Sequence, residues 1–260
     1  MVIKIRSMNC IRLCKKIKLL SVMLLLCSKT AYAQTYHQVN IGFNSVKDGV
    51  NNGMLFNGVT LGYQFGIQKN IHSSMIDYHA DIKIGTLTSR GIFGLNLQIK
   101  PLSVMYGLEV SPGEKKKLWL GPRFEADYRM QIYPNLQMGH ILWMTNYTLS
   151  PEIVAIRNLD NGNAIRLNAN YAIAALSSRT QNLDPYFFSL RFGDIISSIH
   201  SNMNVVSVNN LTKFNLGLEY IYRKSKRDYS IGYSCDYLGY EKKYNYREIN
   251  HLIIFRIRNK

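Results

Sequence analysis

The sequence predicts an all-β chain, an antiparallel transmembrane β-barrel of 10 to 12 strands, and three observations carry that prediction. Eight stretches alternate apolar and polar residues one by one, the period that sends successive side chains to opposite faces of a strand. In the clearest of them Leu118, Leu120, Pro122, Phe124, Ala126, Tyr128 and Met130 share one face. Trp119, Gly121, Arg123, Glu125, Asp127 and Arg129 share the other, so one side suits hydrocarbon and the other water or partner charges. The runs are about 9–13 residues long, which matches a tilted membrane strand (~9–11 residues) rather than a soluble one (~5–6). The third observation is an export signal ahead of them.

That signal occupies residues 1–33. Lys4, Arg6, Arg12, Lys15, Lys16 and Lys18 form a basic head, residues 19–27 an apolar core, and Ala31-Tyr32-Ala33 a small-x-small cleavage site before Gln34. A core of nine residues falls short of the ~20 that a helix needs to cross a bilayer. Cleavage after Ala33 is expected, leaving 34–260 as the barrel. Lipidation at Cys27 is the alternative, although Leu26 stands where lipoprotein signals resemble one another in having a small residue. No stretch of 34–260 is apolar for 18 residues, so no transmembrane helix is expected there.

Charge and cysteine content narrow the function classes. The full chain carries 32 basic and 16 acidic residues. Residues 1–33 hold seven of the bases and none of the acids, leaving 25 against 16 in the barrel. The excess suits loops and lumen facing anionic lipid headgroups. Nucleic acid is not expected as a partner, since the charges are dispersed and no basic helix or aromatic nucleic-acid motif is present. Cys10, Cys14 and Cys27 lie in the signal, so only Cys235 remains and no intrachain disulfide can form. With Tyr233 and Tyr237 on its face, Cys235 reads as a small apolar residue.

Taken in order, Val59, Leu61, Tyr63, Phe65 and Ile67 alternate with Gly and polar residues. Ile76, Tyr78, Ala80, Ile82 and Ile84 oppose Asp77, His79, Asp81 and Lys83. Phe93–Ile99 follows, Pro101 interrupts, and 102–110 reads as a further short run before the charged strand at 118–130. Later come 165–175, 214–222, 229–237 and 246–258, the last broken by Leu252 and Ile254 on its polar face. Less regular candidates are 36–44, 137–148 and 151–157. Asp160-Asn161-Gly162 predicts a type I′ hairpin turn. Ser89-Arg90-Gly91 and 224–228 read as short turns, and 45–54 and 177–210 as longer loops, the second with a possible strand around 187–192. Tyrosines at strand ends suit an interfacial girdle.

The chain as a whole resembles the small outer-membrane β-barrels of Gram-negative bacteria, over residues 34–260 and in architecture rather than through a diagnostic motif. The resemblance implies an outer-membrane location, lipids of that membrane and the barrel assembly machinery as partners, and a monomer with short turns and both termini on the periplasmic side. Such barrels often end in an aromatic residue, whereas here Phe255 lies inside the last strand and Lys260 ends the chain.

The expected function is that of a non-enzymatic barrel, structural or admitting small solutes in a narrow porin-like way. Its expected lumen charges are Asp77, Asp81, Lys83, Arg123, Glu125, Asp127, Arg129, Arg166, Glu219, Glu248, Arg256 and Arg258. They either line a pore or pair into a plug, as narrow barrels are filled by their own side chains. Two alternatives stand beside this reading. A lipid hydrolase would need a serine with a base in reach, and His72 with Ser74 share a face at the required spacing, whereas His200 and Ser201 do not. A soluble lipocalin-like barrel would turn the same faces inside out, around a ligand. No metal site is expected, because Asp77, His79 and Asp81 are spread ~6–7 Å apart along a strand. No cofactor is expected, as phosphate loops and nucleotide fingerprints are missing.

Overall fold

In the computed structural model the described residues are 33–113, 115–134, 140–179, 199–200, 202–241 and 245–259. The signal segment and the possible strand around 187–192 lie outside them. Among the described residues there are twelve antiparallel strands: β1 (Ala33–Asp48), β2 (Met54–Ile71), β3 (Ser74–Ser89), β4 (Ile92–Pro112), β5 (Lys116–Tyr133), β6 (His140–Asn158), β7 (Ala164–Tyr171), β8 (Ala174–Arg179), β9 (Asn204–Ser207), β10 (Leu211–Arg223), β11 (Arg227–Tyr240) and β12 (Tyr246–Asn259). Ten close into a ring, β1 to β7 and then β10 to β12, through the β1–β12 and β5–β6 pairings. β8 and β9 lie outside the ring, β8 taking up the edge of β6 beyond the point where β7 leaves it.

The seam between the first and last strands runs from Tyr36↔Arg258 to Asp48↔Tyr246 without a register shift. Closure leaves the ring with no free edge, so its backbone groups pair around the full circumference, which a bilayer requires. The same closure fixes two ends. β2, β4, β6 and β10 end where β1 starts and β12 stops, the termini end, and β1, β3, β5 and β11 end at the opposite, far end.

Alternation decides which face meets what. Val39, Ile41, Phe43, Leu61, Ile84, Leu120, Phe124, Leu149, Leu218 and Ile253 are exposed on the outer wall. Gln38, Asn40, Gln64, Asp81, Arg123, Asp127 and Glu248 are buried inside. Apolar outside and charged inside is the arrangement of a membrane barrel and the reverse of a lipocalin-like one. Cys235 is half-buried on the outer face, beside Tyr233 and Tyr237.

Several boundaries differ from the sequence reading, each for a physical reason. The runs on either side of Pro101 are one strand, β4, in which the proline stands at a register shift between Ile99 and Leu102. A proline lacks the N–H that the ladder needs, and a bulge accommodates it. Likewise 151–157 and the described part of 137–148, from His140, merge into β6, in which Pro151 faces Pro122 across the β5–β6 pair. The β6 ladder on the opposite side pauses there too, between Glu152↔Asn170 and Leu149↔Ala174. The expected loop 45–54 shrinks to 49–53, a single 3₁₀ turn with Asp48 accepting from the Val50 N–H at 2.8 Å. In place of the 177–210 loop, β8 runs to Arg179 and β9 spans Asn204–Ser207.

The hairpin at Asn161-Gly162 forms without the type I′ geometry. Only Gly162 has a positive φ (82°), and its N–H donates to the Leu159 carbonyl at 3.0 Å. The type I′ signature of two successive positive φ angles appears instead at Arg90 (46°) and Gly91 (82°).

Candidate functional site

The lumen holds the only dense chemistry among the described residues, and its contents follow from strand alternation. On β5 every second residue from Trp119 to Tyr133 turns inward, which delivers Arg123, Glu125, Asp127 and Arg129 to one column. Neighbouring strands supply their partners. The interior sorts into layers along the barrel axis.

Nearest the termini, Met75, Met105, Trp119 and Val154 form a small apolar layer with Ile156 packed against it. Above it Arg123 binds Glu152 through Nε and through Nη2 (3.0 Å), and reaches Asp77 at 3.2 Å and Ser103 at 2.6 Å. Tyr36 donates to Asp77 at 3.1 Å, and the Arg256 guanidinium lies 4.8 Å from the centre of its ring. Arg256 also donates to Gln38 and lies 3.1 Å from Glu219, while Arg166 stands directly across the β7–β10 pair from Glu219. The Tyr36 ring occupies space that only a glycine at 66 leaves free, since a Cβ there would overlap it.

In the middle Lys83 meets Asp236 at 2.7 Å, and Lys213 spans Glu125 (2.7 Å) and Asp127 (3.4 Å). Lys100 sits 3.9 Å from Asp81 and 3.8 Å from Glu125. Higher still, Arg129 joins Asp127 (3.0 Å) to Glu248, which also accepts from Tyr246 at 2.6 Å and Asn96 at 3.2 Å. At the far end a second, larger apolar layer closes the barrel around Val46, Phe56, Leu87, Tyr133, Leu142 and Leu238. Arg179 pairs with Asp48 and lies over the rings of Tyr246 (5.1 Å) and Tyr240 (6.0 Å), tying β8 across the mouth to β1 and β12.

Every lumen residue singled out from sequence is inward and buried: Asp77, Asp81, Lys83, Arg123, Glu125, Asp127, Arg129, Arg166, Glu219, Glu248, Arg256 and Arg258. Sequence reasoning missed Lys100, Glu152, Lys213, Asp236, Asp48 and Arg179, which supply about half of the pairings. Lys100 and Asp236 are visible on polar faces of regular runs, and Lys213 continues the alternation of 214–222 one residue before it, whereas Glu152 lies beside Pro151 and Asp48 and Arg179 fall in stretches that read as loop. The buried set comprises ten acids and eight bases among the described residues. The lumen therefore does not share the chain's positive excess, contrary to the sequence expectation, because cross-wall pairing demands near-neutrality.

Charges taken out of water lose several kcal/mol of hydration each, and only close pairing with further hydrogen bonds offsets this. The contacts above provide both for most of these charges, whereas Nε and Nη1 of Arg166 and Nε of Arg258 are buried without a hydrogen-bond partner among the described residues. Among these side chains lies a cavity of about 90 Å³ lined by Asn168, Asn170, Asn215, Lys100 and Arg166 among others, room for a few water molecules at roughly 30 Å³ each.

The other sequence candidates fall elsewhere. His72 occupies the β2–β3 turn with a positive φ of 52°, and the Ser74 hydroxyl lies 3.2 Å from that of Tyr106. His79 faces the lumen 3.4 Å from Asp77. His200 packs on the outside of the wall against the hydroxyls of Tyr128 (3.2 Å) and Tyr147 (3.0 Å). Among the described residues no three His, Cys, Asp or Glu side chains converge as a metal site.

No protein-family model matches the sequence, and no curated protein matches it. Solved structures do. The outer membrane protease OmpT of Escherichia coli superposes with a TM-score of 0.57 at 7% identity, over 87% of this chain and 96% of that one. The translocator domain of the autotransporter NalP of Neisseria meningitidis matches over 98% of both chains at 9% identity and a TM-score of 0.45. Neisserial surface protein A matches over 86% of this chain and 96% of its own, at 10% identity and 0.38. At such identities the likeness speaks for the fold alone: the ring of ten strands, apolar without and charged within, has the fold of an outer-membrane β-barrel.

Proposed function

We propose that this protein is a non-enzymatic outer-membrane barrel whose lumen is a plug rather than a pore, so that it works as a structural element of the membrane. One observation carries the reading: among the described residues, charges from different walls pair in the middle of the lumen between two apolar layers, around a cavity of about 90 Å³. A hydrated solute moving through would have to break several buried ion pairs at once. The protein acts as a monomer, inserted by the barrel assembly machinery, with outer-membrane lipids as its surroundings.

The placement of the hydrolase candidates supports the same reading. Ser74 is engaged by Tyr106, and a serine nucleophile needs an oriented base within hydrogen-bond reach. Proteolysis, named for the Escherichia coli neighbour, finds no support in the His79–Asp77 contact, which lies within the closed lumen.

Single-channel recording on purified protein in planar bilayers tests the plug. Wild type should show little conductance, and the double substitution Arg129→Ala, Lys213→Ala should raise it by opening the middle of the network. Steady large channels from the unmodified protein would overturn the reading.

A further inference from the structure

Among the described residues, most of the exposed bases gather at one rim. At the termini end Lys116, Arg157, Lys224 and Arg227 are exposed. Alternation fixes the side to which they belong. Trp119 and Arg123 turn inward on β5, so Lys116 belongs with Leu118 and Leu120 on the outer wall. Val154 is inward on β6, which places Arg157 outside with Ile153. Arg227 stands two residues before the outward Tyr229, and the Lys224 ammonium lies 5.6 Å and 5.9 Å from the ring centres of Tyr222 and Tyr229.

Lys116 and Arg157 are also register partners across the β5–β6 pair. Two like charges directly opposite destabilise a sheet unless an anion stands between them. The nearby exposed acid Asp160 is engaged by Lys115 at 3.0 Å. At the far end the described exposed charges are fewer and include an internal pair, Arg247 with Glu241 at 3.1 Å. Among the described residues the excess of exposed bases is at the termini end.

We propose that this rim is a binding site for anionic phospholipid: the four bases hold phosphodiester headgroups of the leaflet that surrounds the termini end, and Tyr222 and Tyr229 mark its interface. A soluble polyanion would satisfy the charges alone. Here Leu120, Ile153 and Ile231 are exposed on the same outer wall that carries the bases, which fits a molecule with an anionic head and acyl chains. The inference rests on the membrane-barrel reading and not on the plug.

The test uses the full chain folded into nanodiscs of equimolar phosphatidylcholine and phosphatidylglycerol, with retained lipid counted by native mass spectrometry. Wild type should retain phosphatidylglycerol about fivefold or more over phosphatidylcholine, as a few bases at a charged leaflet imply. The variant Lys116→Gln, Arg157→Gln, Lys224→Gln, Arg227→Gln should retain the two in their bulk ratio. The far-rim variant Lys47→Gln, Arg90→Gln, Arg247→Gln should behave as wild type. Should the fourfold variant not fold, Lys116→Gln with Arg157→Gln removes a repulsion and should fold while losing part of the preference. Bulk-ratio retention by wild type, an unchanged preference in the rim variants, an equal loss in the far-rim variant, or displacement of the lipid by inorganic phosphate would each overturn the proposal. Failure to insert into phosphatidylcholine vesicles at all would instead strike the membrane reading.

Discussion

Phe124 and Glu125 are neighbours in the chain, yet they are solvated by different things. Phe124 is 40% exposed on the outer wall, where the surrounding medium is fluid and reshapes itself around any apolar side chain. Glu125 is 5% exposed inside, where its partners Lys213 and Lys100 are fixed by other strands. The outer face therefore demands a chemical class and the inner face demands particular residues. A substitution that keeps the class should be cheap outside, whereas one that removes a partner should be costly inside.

The largest effect should come from the inner face. Arg123→Met leaves Asp77 and Glu152 buried without their shared counter-ion and should cost about 3–5 kcal/mol, read as a lower urea midpoint of the reconstituted protein by heat-modifiable gel migration. A midpoint equal to wild type would erase the distinction between the faces. On the outside, Phe124→Arg violates the class and should cost roughly 2–4 kcal/mol near mid-depth, seen as a loss of folded yield in vesicles. Wild-type insertion would invert the assignment of the β5 faces. Gly66→Ala tests the fit of the interior rather than its charge. The added methyl must displace the Tyr36 ring from its seat and with it the Asp77 bond, which should cost about 1–3 kcal/mol in the same urea titration. The smallest change is Phe124→Leu, which keeps the class and should move stability by less than about 0.5 kcal/mol. A drop as large as that of Gly66→Ala would mean the outer wall also demands particular shapes.

The same contrast explains what could be read from sequence. Strands such as β2, β10 and β11 were legible because lipid on one side and charge on the other enforce strict alternation. The interruptions were not. Pro101 and Pro151 looked like strand ends, yet each is absorbed by a local pause in the ladder that no single strand records. β1 was obscure because its far end alternates Asn44, Val46 and Asp48 inward, a mixed set that belongs partly to the ion network and partly to the apolar layer. The inward column of β5 was legible residue by residue, but its pairings were not. Lys83 finds Asp236 across 153 residues of chain, and that match depends on closure of the ring rather than on any local pattern.

The seam between β1 and β12 also sets a timetable. Tyr36 meets Arg258 only after every intervening strand has been laid down, so the contacts that complete the cylinder have nearly the highest sequence separation the chain allows. Local hairpins such as β10–β11 form quickly, whereas closure across such a span is intrinsically slow. Throughout that interval β1 presents an unpaired edge bearing Val39, Ile41 and Phe43, a template for pairing with any other strand. Shielding the first strand until the last one arrives is thus a requirement that the topology itself imposes on biogenesis.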